Sequence, residues 1–164
     1  MLKFSHFLFA FSIVLLGNMS SCKSQEKTTT NNAKSKKMVI KKDIPFTILL
    51  QNGHSNITEQ KNIVIKDKKS LNAIYSKINS TRKPGLPIPK IDFSKTMVLG
   101  MFMGTKNSGG YSIHINRIES NDKEMVVFYT EKAPKGRATM AITQPCLLVS
   151  TVVSNLPVRF ELVK

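Results

Sequence analysis

One run of residues limits the fold more than any other: Thr96–Met103 (TMVLGMFM), apolar almost without a break. A run of this length, bounded by turn signals, fits a strand covered on both faces or a buried helix segment. Gly100 within it, and Lys95 and Gly104 at its ends, favour the strand, because glycine weakens a helix by about 1 kcal/mol relative to alanine. Gly104-Thr105-Lys106-Asn107-Ser108-Gly109-Gly110 then breaks the pattern. Adjacent glycines take positive φ without a Cβ clash, so a loop is expected here. Beyond it Tyr111, Ile113 and Ile115 alternate with Ser112, His114 and Asn116, the period of a half-buried strand. Strand, glycine loop and alternating strand together read most simply as a β-hairpin.

The flanking segments extend this pattern. Ile44–Gln51 reads as a strand with Pro45 near its start, where a missing N–H is tolerated, and Asn52-Gly53 as a turn. Gln60–Lys66 is a second strand. Asp67 is placed to cap a helix over Lys68–Asn79, in which Leu71, Ile74, Tyr75 and Ile78 form one apolar stripe. Thr81–Pro89 holds three of the seven prolines and must be an irregular connection. After the alternating strand, Ser120–Lys123 turns the chain and Glu124–Thr130 returns to pair with Tyr111–Ile118. Lys132–Ala138 is a polar loop, Ile142–Val153 a strand broken early by Pro145, and Val158–Val163 the last strand. The expected class is α+β, mainly β: about seven short, largely antiparallel strands with one amphipathic helix, as a sandwich or partly open barrel. Residues 43–164 are enough for one core.

The N-terminus reads as an address. Lys3 precedes an apolar run, Phe7–Leu16, and small residues lead to Cys22. This is the plan of a signal peptide over 1–21, and the apolar run is shorter than the ~20 residues that span a bilayer. Met19-Ser20-Ser21-Cys22 resembles the lipobox of bacterial lipoproteins, in which the cysteine carries the lipid, palmitate among its acyl chains, and becomes the mature N-terminus; Leu is commoner at the place of Met19. The expected location is therefore the bacterial cell envelope, with the protein lipid-anchored to a membrane and facing periplasm or surface. Residues 22–42 are rich in Lys, Thr, Asn and Ser and read as a flexible basic tether. Much of the formal net charge of +15 lies there; residues 43–164 hold 17 Lys and Arg against 9 Asp and Glu. Those charges are scattered, without a basic stripe or interleaved aromatics, so no nucleic-acid partner is expected.

No motif raises a chemistry. Gly104–Tyr111 superficially has phosphate-loop spacing, yet the positions needing Lys and a hydroxyl are Gly110 and Tyr111, and a strand follows instead of a helix N-terminus. His54 and His114 have no HxH, HExxH or CxxC company, so no metal or other cofactor is expected. A Ser–His–Asp triad assembles in space and leaves no local trace, but no G-x-S-x-G elbow raises that reading. Asp92 and Glu119 read as solvated or strand-capping carboxylates. With Cys22 lipidated, Cys146 has no partner for a disulfide and reads as a small buried hydrophobe within Gln144–Val149.

The order of Ile91-Asp92-Phe93-Ser94-Lys95, the apolar strand, Ser108-Gly109-Gly110-Tyr111-Ser112-Ile113 and Thr143-Gln144-Pro145 resembles the C-terminal domain of the PrcB-like lipoproteins, named for a subunit of a bacterial surface protease complex. The resemblance covers roughly Gln51–Val163 and departs at Cys146, where the family usually has an aromatic. It implies an accessory lipoprotein that stabilises or assembles a protease, and does not imply that this chain cleaves anything. The double glycine serves either a turn or the close approach of a partner. Lys106, Asn107, Ser108, Gly109, Gly110 and Tyr111 are the expected contacts for a protein partner, since loops on a rigid sheet carry recognition. Strand addition along an exposed edge is a second mode of contact. No small-molecule substrate and no catalytic residue are expected. The rival readings are a secreted hydrolase and a structural envelope lipoprotein unrelated to proteases.

Overall fold

The structure, a computed structural model, describes residues 41–163. The expected signal peptide over 1–21, the lipidation site Cys22, most of the 22–42 tether and Met38–Ile40 lie outside the described residues.

Among the described residues, eight strands and one helix form three layers. The first sheet has the order β1 (Lys42–Asp43), β5 (Ser112–Ser120), β6 (Met125–Lys132), β8 (Val158–Leu162). The second has the order β2 (Phe46–Asn52), β7 (Cys146–Val152), β4 (Thr96–Met103), β3 (Gln60–Ile65), with α1 (Lys68–Ile78) on its outer face. All pairings are antiparallel except β6–β8. The mainly-β α+β class is therefore as the sequence indicates, in its sandwich form.

The apolar run becomes the middle layer's inner strand. Met97, Leu99, Met101 and Met103 face the first sheet and pack with Ile113, Ile118, Met125, Val127 and Tyr129. Val98 and Phe102 face the other way, onto Leu71, Tyr75 and Ile78 of α1. Both parities of β4 are thus buried, at roughly 1.5–3 kcal/mol for each large apolar side chain removed from water. The helix begins where Asp67 accepts hydrogen bonds from the N–H and hydroxyl of Ser70, each at 2.8 Å. It ends at Asn79, whose side-chain amide bonds both the N–H (2.8 Å) and the carbonyl (2.9 Å) of Leu86, folding the proline-rich connection back.

Three expectations are corrected. The central hairpin does not form: β4 pairs with β3 and β7, β5 pairs with β1 and β6, and the glycine loop carries the chain between sheets. The reason is where cover is found: β4 is packed by the first sheet on one face and by α1 on the other and so sits in the middle layer, whereas β5 lies in the outer sheet with His114, Asn116 and Arg117 exposed. The strand expected over Ile44–Gln51 starts at Phe46 as β2, and a separate two-residue strand, β1, precedes Pro45 in the other sheet, with the Ile44 N–H donating to the Ile118 carbonyl at 2.8 Å. The penultimate strand starts at Cys146 and not at Ile142, because residues 139–145 bond to other loops.

Within β5 a bulge between Ile115 and Arg117 shifts the register by one residue. Ile118 is thereby buried, and Arg117 turns outward with its guanidinium 3.9 Å from the centre of the Phe128 ring.

Candidate functional site: a three-loop platform

Strand register gathers three loops at one end of the domain. Asn52, the last residue of β2, faces Cys146, the first of β7; Gln60 of β3 faces Met103 of β4; Ser112 of β5 faces Lys132 of β6. Loops 53–59, 104–111 and 133–145 all leave from that end. Lys42 faces Ser120, at the far end of β5, roughly 27 Å away at ~3.4 Å per residue.

Thr143 and Gln144 knit the three together. The N–H of Lys106 donates to the Thr143 carbonyl at 2.8 Å, the Thr143 N–H returns to Lys106 at 2.9 Å, and the buried Thr143 hydroxyl donates to the Ser108 carbonyl at 2.8 Å. Gln144 donates its N–H to the Gly53 carbonyl at 2.8 Å and accepts the Ser55 N–H at 2.9 Å. The Gly109 N–H donates to the Thr139 carbonyl at 3.0 Å. The Gly-Gly-Tyr and Thr-x-Pro segments, distant in sequence, are one interlocked unit.

That unit explains the double glycine. Gly109 is buried, and a Cβ there would run into Thr139 Oγ1. Gly110 has φ +86°, where side chains are strained, and a Cβ would lie 2.8 Å from Pro134 Cβ. Both glycines are thus required by packing against loop 133–145. Of the expected contact residues, Asn107 and Gly110 are exposed, the Ser108 carbonyl is taken by Thr143, and Lys106 and Tyr111 are half-buried with Lys106 Nζ 5.6 Å from the Tyr111 ring centre.

Sequence reading passed over the neighbouring loop. Met140 is 98% exposed and Ile142 67%, beside exposed Lys132, Lys135 and Arg137. Lys132–Ala138 was expected to be merely polar, and Ile142 to be in a strand. A usable signal was present: residues 132–145 contain three cations, no carboxylate, and isolated large apolar residues among turn formers.

The groups with chemical capacity lie apart from one another. Cys146 is 1% exposed, and burial pushes its thiol up to about 11, so it stays protonated at neutral pH. Its side chain joins the helix-side core, so this position faces inward. On the outer face of the first sheet, Ser112 Oγ lies 3.0 Å from His114 Nε2; among the described residues no carboxylate hydrogen-bonds that imidazole. Asp92 accepts from the hydroxyl and N–H of Ser94, which hold its carboxyl below the usual range, and its carbonyl starts β4 by accepting from Thr96. Glu119 is held low by Arg117 first and Lys41 second. His54 sits in a β-bridge with Gln144. Among the described residues no three His, Cys, Asp or Glu side chains converge on a metal position. An open groove of about 640 Å³ runs beside α1, with Leu71, Ile88, Ile91 and Phe93 as its apolar lining and Lys68 and Lys90 at its margins.

The fold and its platform define a loop-presenting β-sandwich domain with a helix-covered second sheet. Residues 97–151 match the family model described as PrcB C-terminal. The matched stretch runs from β4 through β7 and so contains both the glycine loop and loop 133–145. No curated protein and no solved structure matches the chain.

Proposed function

We propose that the chain is an accessory module of the bacterial cell envelope, lipid-anchored through Cys22, that binds a protein partner through its three-loop platform and makes or breaks no bonds itself. A surface protease complex is the assembly the family resemblance points to, with the module stabilising or assembling it. The observation that carries this reading is the interlocking of the two family segments into one rigid, exposed end, roughly 27 Å along β5 from where residue 42 joins the sheet. A rigid scaffold that pins several loops into one surface suits recognition.

The test compares the full chain with a Lys106→Glu/Tyr111→Ala variant in capture from detergent-solubilised membranes. The variant should lose a co-purifying protein while keeping its circular dichroism spectrum. Equal capture by both proteins would count against the platform. Cys22→Ala should move the protein to the soluble fraction; detergent-dependent retention would refute the anchor. The hydrolase rival draws on Ser112 and His114. It gains if a fluorophosphonate probe labels the protein and Ser112→Ala abolishes the label.

A further inference from the structure

The glycine loop is a bracket, and what it holds out is loop 133–142. The Thr139 carbonyl accepts two N–H groups, from Gly109 at 3.0 Å and from Ala141 at 2.9 Å. The second bond closes a tight turn with Met140 at its apex, which is why that side chain is 98% exposed. Singly exposed apolar residues are ordinary on protein surfaces. Here Met140 and Ile142 stand two residues apart on a pinned turn whose own loop carries exposed Lys135 and Arg137. Lys106, Lys132, Lys135 and Arg137 share this end, and segments 104–111 and 132–145 contain no Asp or Glu. Among the described residues, none of these four cations forms an ion pair.

We propose that loop 133–142 docks into an apolar pocket rimmed by carboxylates on a partner protein, with Met140 as the anchor and Lys135 and Arg137 matched to the acidic rim. This rests on the binding reading above and goes further by naming the contact element and the partner's chemistry. An unbranched thioether adapts to an apolar pocket, and desolvated anchors surrounded by polar rims dominate interface energetics. An anionic lipid surface would also attract the cations, but membrane attachment scales with buried apolar area. One Met and one Ile, without Trp, Phe or Leu beside them, supply little. The hydrogen bonds that fix the turn favour a partner of definite shape, since preorganisation lowers the ordering cost of binding.

The test places a photo-crosslinking benzoylphenylalanine at position 140, 106 or 83 of the full chain in its own cells. Each is then repeated with Lys135→Glu/Arg137→Glu. The expected result is a protein adduct from position 140, none from position 83, an Asp- and Glu-rich crosslinked peptide, and a fall in yield of about tenfold or more on charge reversal. Lys135→Gln/Arg137→Gln should lower the yield less. An adduct from position 106 but not 140 overturns the proposal and leaves the binding reading standing; no adduct from either overturns both. An adduct insensitive to charge reversal overturns the acidic partner. Binding of the Cys22→Ala chain to vesicles of three parts phosphatidylcholine and one part phosphatidylglycerol, lost on adding Met140→Asp and without any protein adduct, would assign the loop to the membrane instead.

Discussion

Alanine at Gly110 and at Gly136 separates two costs that the platform combines. Gly136 has φ +80° with nothing within 4 Å of a built Cβ, so alanine there meets only backbone strain. Left-handed backbone costs an L-residue roughly 1–2 kcal/mol, partly offset by the lower entropy of unfolded alanine, leaving about 1 kcal/mol. Gly110, at φ +86°, carries the same strain and in addition drives its Cβ to 2.8 Å from Pro134 Cβ. Overpacking costs typically 1–3 kcal/mol, so Gly110→Ala should destabilise by about 2–4 kcal/mol in all. Urea unfolding of the full chain, in a Cys22→Ala background for solubility, measures both. Adding Pro134→Gly to Gly110→Ala should recover most of the excess, read from a double-mutant cycle. Equal costs at the two glycines, or no coupling to Pro134, would refute the claim that the double glycine exists to let loop 133–145 approach.

Two further expectations follow from buried and stacked groups. Burial raises the Cys146 thiol to about 11 in the folded protein, from an ordinary value of 9.0, so folding favours the protonated form. Its stabilising contribution is full below about 9 and lost as pH rises toward about 11; Cys146→Ala should remove that part of the alkaline slope, and in the Cys22→Ala chain the thiol should react with Ellman's reagent at neutral pH only after unfolding. The Arg117 guanidinium lies 3.9 Å from the Phe128 ring centre. Arg117→Ala should cost about 0.5–1 kcal/mol in urea unfolding, with Lys a poor substitute because it lacks the flat stacking surface; a fully rescuing Lys would show that charge alone suffices.

What could be read from the residues was mostly local. The period of Leu71, Ile74, Tyr75 and Ile78 and the cap at Asp67 gave α1, and the unbroken TMVLGMFM run gave a strand covered on both faces. Which sheet the next strand joins is not written in that run, since β6, buried on both parities from Met125 to Tyr129, pairs with the half-exposed β5. Even the β5 bulge is written in the apolar spacing, since Ile113 and Ile115 are two apart and Ile115 and Ile118 three. Partnership across distance was not legible. The pairing of Lys106 with Thr143 depends on where two sheets bring two loops, and nothing near either residue encodes it. The composition of residues 132–145 marks that loop, but the exposure of Met140 does not follow from it, because the turn is tied to Gly109, thirty-one positions away.

Loop 133–145 is clamped at Thr139 and Thr143 and continues at once into β7, while Pro134 lies against Gly110, so both sheets are indifferent to the exposed side chains at Lys135, Arg137 and Ala138. Those residues can be exchanged or recharged without disturbing the cores on either side of β4. A scaffold arranged in this way lets evolution, or an engineer, retarget the molecule by rewriting one short stretch while the rest of the chain stays as it is.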